Sequence, residues 1–348
     1  MLIAAVYQSA LQAAGPQAAH IERLWWLQFW VAAGVFVLTM AFLALALVRG
    51  ARRARSNAER SRPIRRTPDS TTEIQVRLEP PAMDLEDPQP HQAGLNVAVT
   101  LAVGATVVIL FVLLVATVFT GRAIASPRQD AAVVINLIGH QWWWEAEYEH
   151  ATPSQRFRTA NELHIPVGRP VVFKVTSHDV IHSFWVPNLH GKRDLIPGYT
   201  TSIWLQADKP GVYRGQCAEF CGYQHAKMAL YVTAESDDQF QKWSANQRRA
   251  APQPSTDQQT RGRDVFLRST CTQCHTIRGT IAGAVLGPDL THVATRGTIA
   301  AGTLRNEPGQ LAGWILDSQS IKPGNRMPPN SLRGDDLQAL LAYLESLK

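Results

Sequence analysis

The chain has 348 residues, a formal net charge of +6 and 45% apolar residues. At ~100–200 residues per domain it holds two or three folding units. This composition excludes a polytopic membrane protein, which would be mostly apolar spans, and a disordered chain, which would lack aliphatic and aromatic residues. The basic residues are spread along the chain rather than gathered in one domain, which argues against a nucleic-acid-binding face.

Residues 1–23 form an almost uncharged tail. Leu24 to Val48 is free of charge and opens with Trp25, Trp26 and Trp30. It meets the ~20-residue requirement for a membrane-spanning helix, with tryptophans at the membrane–water boundary. Eight arginines and one acid follow between Arg49 and Arg66. Directly after a span, such a cluster marks the cytoplasmic side, so residues 49–95 are expected to be a cytoplasmic loop. Within it, residues 67–90 are rich in Pro, Asp and Glu and read as a loop. Val97 to Phe119 is a second uncharged run, which places a second span at residues 96–121. Two spans put both chain ends on the outer face.

Residues 122–243 read as β structure. Val171, Phe173 and Val175 alternate with Val172, Lys174 and Thr176, and Leu230 and Val232 alternate with Tyr231 and Thr233. This period of two predicts half-buried strands in an antiparallel sandwich or barrel. Residues 244–260 are polar and contain proline, as a flexible linker does. About 15 such residues reach roughly 20 Å. Residues 261–348 read as helical: Leu311, Trp314, Ile315 and Ser318 share one helical face, as do Leu337, Leu340, Leu341 and Leu344.

The chain has four cysteines, in two tight pairs: Cys217 with Cys221, and Cys271 with Cys274. A disulfide framework would spread them out; tight pairs beside histidine point to a metal or cofactor. Cys271-Thr272-Gln273-Cys274-His275 is a C-x-x-C-H string, the attachment signature of covalent haem, with His275 as proximal iron ligand. Met327, in the Pro-flanked Gly324-Asn325-Arg326-Met327-Pro328-Pro329 segment, is the expected sixth ligand, with His292 as its rival. The carbonyl of Pro288 is placed to accept the His275 Nδ1–H and fix the ring.

Between Cys217 and Met228 lie two thiols, the imidazole of His225 and a thioether, and His182 stands upstream. Soft sulfur plus imidazole on a β scaffold favours copper, and two thiolates suit a bridged pair of ions. A disulfide or a zinc site are the rival readings.

On these residues the chain resembles subunit II of a haem–copper cytochrome c oxidase with a fused C-terminal cytochrome c, the caa3 type. The resemblance rests on the two spans, Gly139-His140-Gln141-Trp142-Trp143-Trp144, Asp179-Val180-Ile181-His182, the Cys217–Met228 string and the haem motif. It implies a two-helix transmembrane hairpin, a cupredoxin-like antiparallel β-sandwich or barrel, and an all-α class I cytochrome c domain. It also implies a binuclear CuA centre bridged by Cys217 and Cys221. His182 and Met228 would ligate one copper, and His225 with the backbone carbonyl of Glu219 the other. The Glu219 side chain would reach Mg or Mn at the subunit boundary, and electrons would enter near Trp142. Partners implied are subunit I with haem a/a3 and CuB, subunit III, and cytochrome c as donor, in a prokaryotic inner membrane. Oxygen reduction, coupled to proton pumping, belongs to subunit I. Two other readings stand beside this one: a CuA-bearing subunit of a nitric oxide reductase, and a membrane-anchored copper-binding protein. One departure is visible. The family usually has a carboxylate just before the second span, at the mouth of a proton path. Here the approach reads Pro90-His91-Gln92-Ala93-Gly94, and Asp84, Glu86 and Asp87 lie upstream.

Overall fold

The computed structural model describes residues 6–60, 90–125 and 133–348. Asp84, Glu86, Asp87 and the last three arginines of the basic cluster lie outside the described residues. Two long helices, α1 (Pro16–Arg60) and α2 (Pro90–Ala125), carry the two apolar runs. Their apolar stretches are exposed along their whole length, as expected of surface meant for lipid rather than water. Both helices outrun the uncharged runs, because a helix needs only continued backbone hydrogen bonding and not apolar side chains.

The N-terminal tail is built into the β domain. A short strand, β1 (Val6–Tyr7), pairs parallel to β10 (Gly211–Cys217). The Ala14 amide donates to the Asn188 carbonyl at 2.8 Å, and the Asp208 amide donates to the Ala14 carbonyl at 2.7 Å.

Ten further strands complete the β domain. They are β2 (Val133–His140), β3 (Trp143–Tyr148), β4 (Phe157–Ala160), β5 (Glu162–Pro166), β6 (Val171–Ser177), β7 (His182–Trp185), β8 (Arg193–Leu195), β9 (Thr201–Leu205), β10 and β11 (Ala229–Glu235). One sheet runs β5-β11-β10-β7-β8 with β1 on β10; the other runs β4-β3-β2-β6-β9. The predicted alternation holds. Val171, Phe173 and Val175 of β6 are fully buried, as are Leu230 and Val232 of β11. Each such aliphatic or aromatic side chain contributes about 1.5–3 kcal/mol relative to an exposed one. The expectation of a purely antiparallel arrangement needs correction. The pairs β2–β6, β5–β11 and β1–β10 are parallel. Alternation reports which face of a strand is buried, not which way the strand runs.

A helix, α3 (Asp237–Gln247), opens with a capping box of Ser236 and Gln239 and leads out of the sandwich. The C-terminal domain then packs α4 (Asp257–Arg268) against α7 (Gly334–Ser346). The two helices come so close at Gly262 that a Cβ there would lie 1.9 Å from the Ala339 carbonyl oxygen. A small ribbon of β12 (Thr298–Ile299) and β13 (Leu304–Arg305) and the helices α5 (Pro308–Leu316) and α6 (Ser318–Ile321) fill the rest.

Residues 244–260 are not a flexible coil. The first four belong to α3, and the last four to α4, capped by the Thr256 side chain. Between the helices Ala251 is buried and its amide donates to the Arg278 carbonyl at 2.9 Å. Arg278 donates to the Gln247 carbonyl at 2.5 Å. Composition predicted mobility because apolar anchors are scarce; the segment is anchored through its peptide groups instead.

Candidate functional site

Two side-chain clusters stand close together at the junction of the β domain and the C-terminal domain. The first is built by β7, β10 and the loop from Cys217 to Met228. Antiparallel pairing sets Cys217 opposite Phe184, two residues past His182. The Cys217 amide donates to the Met228 carbonyl at 2.9 Å and closes the loop. Inside it, Cys217 Sγ lies 3.9 Å from His182 Nδ1 and 3.1 Å from the Glu219 carbonyl oxygen. Cys221 Sγ lies 3.6 Å from His225 Nδ1 and 3.8 Å from Met228 Sδ. The ligand atoms of His182, Cys217 and Cys221 all lie within 4.8 Å of one another, and all three residues are buried. All six expected donors are therefore brought together.

The electrostatics suit a cation. His182 Nε2 contacts Asp179 Oδ1 at 2.8 Å, which fixes the tautomer and leaves the Nδ1 lone pair for a metal. Burial opposes ionisation of Asp179, yet hydrogen bonds from His182 and from the Gln141 and Val180 amides prevail and hold its carboxyl at about 2. The two thiols share a hydrogen bond, which lowers the Cys217 pKa against the opposing effect of burial and raises that of Cys221, so the pair gives up its first proton from Cys217. Thiolate is the metal-binding form. Two thiols, two imidazoles, a thioether and a carbonyl form a donor set that fits copper.

The Glu219 side chain turns away from this cluster. Its carboxylate accepts from Lys192 Nζ at 3.1 Å. Three residues were missed by sequence reasoning. At Gly139 a Cβ would lie 2.7 Å from His182 Cδ2, so only glycine admits the ring. Gly222 has φ +108° and lets the loop approach Trp142. Gln141 Nε2 donates to the Cys221 carbonyl at 2.8 Å.

The second cluster lines a cavity of about 380 Å³. Cys271 and Cys274 stand on a 3₁₀ turn at its edge, and the His275 amide donates to the Cys271 carbonyl at 3.0 Å. His275 and Met327 both line the cavity, with walls formed by Leu290, Val293, Ile299, Leu311, Trp314 and Leu344. His275 Nδ1 contacts the Pro288 carbonyl at 2.8 Å, as expected. Burial pushes the His275 pKa down, which favours the neutral, ligating imidazole. Gly287 packs on the ring so closely that a Cβ would lie 2.8 Å from His275 Cε1. An apolar cavity with two thiols and a tethered imidazole fits covalent haem. Met327 is held by its backbone: Ser318 Oγ and Gln319 Nε2 donate to its carbonyl at 2.6 and 2.8 Å. His292, the rival ligand, is not among the residues that line the cavity. It is buried elsewhere, with its ring nitrogens 2.9 Å from the Lys348 carbonyl and 3.1 Å from the Arg249 carbonyl.

Trp142 joins the two clusters. It lines the cavity of the C-terminal domain, and its indole Nε1–H donates to the Cys221 carbonyl at 2.9 Å. Trp143 also lines the cavity, stacked on His140 at 4.4 Å, whereas Trp144 is wholly within the sandwich core.

Two family models match: cytochrome c oxidase subunit II, periplasmic domain, over residues 151–235, and cytochrome c over residues 259–348. Cytochrome c oxidase subunit 2 of Alkalihalophilus pseudofirmus is 38% identical over 270 residues, covering 76% of this chain and 77% of the relative. The chain belongs to the cytochrome c oxidase subunit 2 family. Cytochrome c oxidase subunit 2 of Bacillus sp. PS3 is 32% identical over 70% of this chain and 72% of that relative. A solved structure, the periplasmic domain of subunit II of the cytochrome oxidase of Bradyrhizobium japonicum, is 31% identical, with a TM-score of 0.33. It aligns over 35% of this chain and 96% of its own length. The fusion of the subunit 2 domain to a cytochrome c domain is the arrangement of the caa3 type, and the chain is a membrane-bound component of a multisubunit oxidase.

Proposed function

We propose that this chain is the electron-receiving subunit of a caa3-type oxidase, relaying electrons from cytochrome c to subunit I, where oxygen is reduced and protons are pumped. When bound, a covalent haem c and a binuclear copper centre supply the two one-electron couples. Cys271 and Cys274 would hold the haem covalently, and His275 and Met327 would be the side chains that ligate its iron. Cys217, Cys221, His182, His225, Met228 and the Glu219 carbonyl would hold the copper. The buried walls keep water from both sites, so neither needs a large solvent rearrangement when its charge changes.

The observation that carries this reading is Trp142, whose indole lines the haem cavity and donates to the carbonyl of Cys221. One side chain thus bridges the two cofactor sites, which supports its role as the point where electrons enter the copper domain. The domain limits proposed are those of the sequence: spans at 24–48 and 96–121, a copper domain at 122–243 and a cytochrome c domain at 261–348. Pairing of β1 with β10 supports an N-terminal tail on the same side as the copper domain, the outer face of the inner membrane. The Glu219 carboxylate remains at the surface with Lys192, where a Mg or Mn ion shared with subunit I would displace the lysine. Subunit III completes the proposed assembly.

The test is metal content. The purified full-length chain is expected to hold two coppers by elemental analysis and one haem by the pyridine haemochrome assay. One copper per chain, or zinc in its place, would remove the binuclear reading.

A further inference from the structure

The cytochrome c domain is seated on the copper domain by a set of cross-domain hydrogen bonds. Glu162 of β5 accepts from the amides of Gly297 and Thr298 at 3.1 and 2.8 Å. The Ala229 amide donates to the Ala301 carbonyl at 3.0 Å. Gln224 Nε2 donates to the Pro323 carbonyl at 2.9 Å. One contact differs in kind from these. Lys322, just after α6 and five residues before Met327, is only 2% exposed. Its Nζ lies 2.8 Å from the Trp142 carbonyl, 2.9 Å from the Lys227 carbonyl and 3.2 Å from the Ala300 carbonyl. An ammonium has three N–H donors and no acceptor. Here three acceptors meet it, two from the copper domain and one from its own.

Burying an ammonium without partners is very costly. The site is therefore satisfied only while the two domains are together. The acceptor loop is built for the contact. Ala300 and Ala301 have φ values of +53° and +56°, a left-handed backbone that alanine adopts only when its surroundings enforce it. The turn directs one carbonyl to Lys322 and the next to the Ala229 amide. Gly324 adds to the fit, since a Cβ there would lie 3.5 Å from Trp142 Cη2.

We propose that Lys322 is a positioning residue for electron delivery between the two domains: its ammonium pins the Met327 segment onto the Trp142 carbonyl and keeps the two cofactor sites at one fixed separation. The inference rests on the electron-relay reading above and adds to it the residue that sets the geometry. The delivered electron is a single one. The haem iron would be oxidised by one electron and the copper pair reduced by one, and Lys322 forms no covalent bond in the step. Its backbone is bonded independently of its ammonium: the Lys322 amide donates to Ser318 and its carbonyl accepts from Asn325. Removing the charge therefore leaves the Met327 loop its own supports.

The experiment compares Lys322→Met with the parent in the assembled, cofactor-loaded oxidase. Hydrogen bonds to a charged donor are worth enough that losing them shifts the docked-to-open ratio about tenfold or more. Exchange of the Ala229 amide is expected to quicken by about that factor, because it reports the opening of the interface directly. Haem-to-copper transfer, followed after flash reduction of the haem, is expected to slow. The optical spectra and midpoint potentials of both centres stay as in the parent. Unchanged exchange at Ala229 overturns the docking role. Faster exchange with an unchanged transfer rate overturns the role in electron delivery. A lost sulfur-to-iron band in the variant shows that Lys322 holds the Met327 segment in place within its own domain rather than the dock between domains, and also overturns the proposal. Should Lys322→Met fail to accumulate, Lys322→Gln, which keeps a donor but cannot serve three carbonyls, is read in the same way. Absence of any transfer in the parent would fault the relay reading itself, while Ala229 exchange would still report the dock.

Discussion

A Cys217→Ser chain is expected to lose its copper while keeping its fold and its haem. Cys217 ends β10 inside the sandwich, 2% exposed, and its sulfur touches both His182 and the Glu219 carbonyl. A serine hydroxyl fits the same space but stays protonated at neutral pH and is a hard donor, where copper favours soft thiolate. With one bridge removed, neither ion retains its donor set. The loss of stability is modest, about 1–3 kcal/mol for a buried hydroxyl without a full set of partners. Elemental analysis beside thermal unfolding by circular dichroism separates the two effects. Copper at the parent stoichiometry would show that Cys217 is not a ligand.

The second large effect is expected at Met327. Met327→Ala should abolish a sulfur-to-iron charge-transfer band and lower the haem potential, within the ~0.8 V range that axial ligands span. The loop itself is expected to persist, because Ser318 and Gln319 grip the Met327 carbonyl rather than its side chain. His292 does not stand ready to replace the sulfur, since it is tied to two backbone carbonyls away from the cavity. Spectroscopy and potentiometry on the full-length chain check this. An unchanged band and potential would mean that another side chain holds the sixth position.

Most of the residues expected to hold copper and haem were readable because they are clustered in sequence. Cys217, Cys221, His225 and Met228 fall in one loop, and Cys271, Cys274 and His275 in one turn. Of their supports, the Pro288 carbonyl behind His275 was readable and the others were not. Asp179 and Gln141 act on His182 and Cys221 from two inter-strand turns that the fold brings together, and Gly139 and Gly287 matter only because a ring happens to lie against them. Lys322 meets Trp142 across 180 positions; in sequence it is one more lysine before a proline. Strand direction was hidden for a similar reason, since the alternation in β6 is the same whether its neighbour runs up or down. The ordered connection at 244–260 escaped a reading based on composition, because its anchors are peptide groups and every residue has those.

The burial of Trp142 beneath the chain's own cytochrome c domain also bears on how such a subunit evolves. In this arrangement the copper domain offers mobile carriers no open landing place at Trp142, and the cytochrome c domain stands in front of it in series. Under the proposed relay a mobile carrier would instead meet the outer surface of residues 261–348, where side chains such as Ile281, Val285 and Leu286 are exposed. The surface around Trp142 is released from that duty and constrained by a different one, complementarity to a neighbour in the same chain.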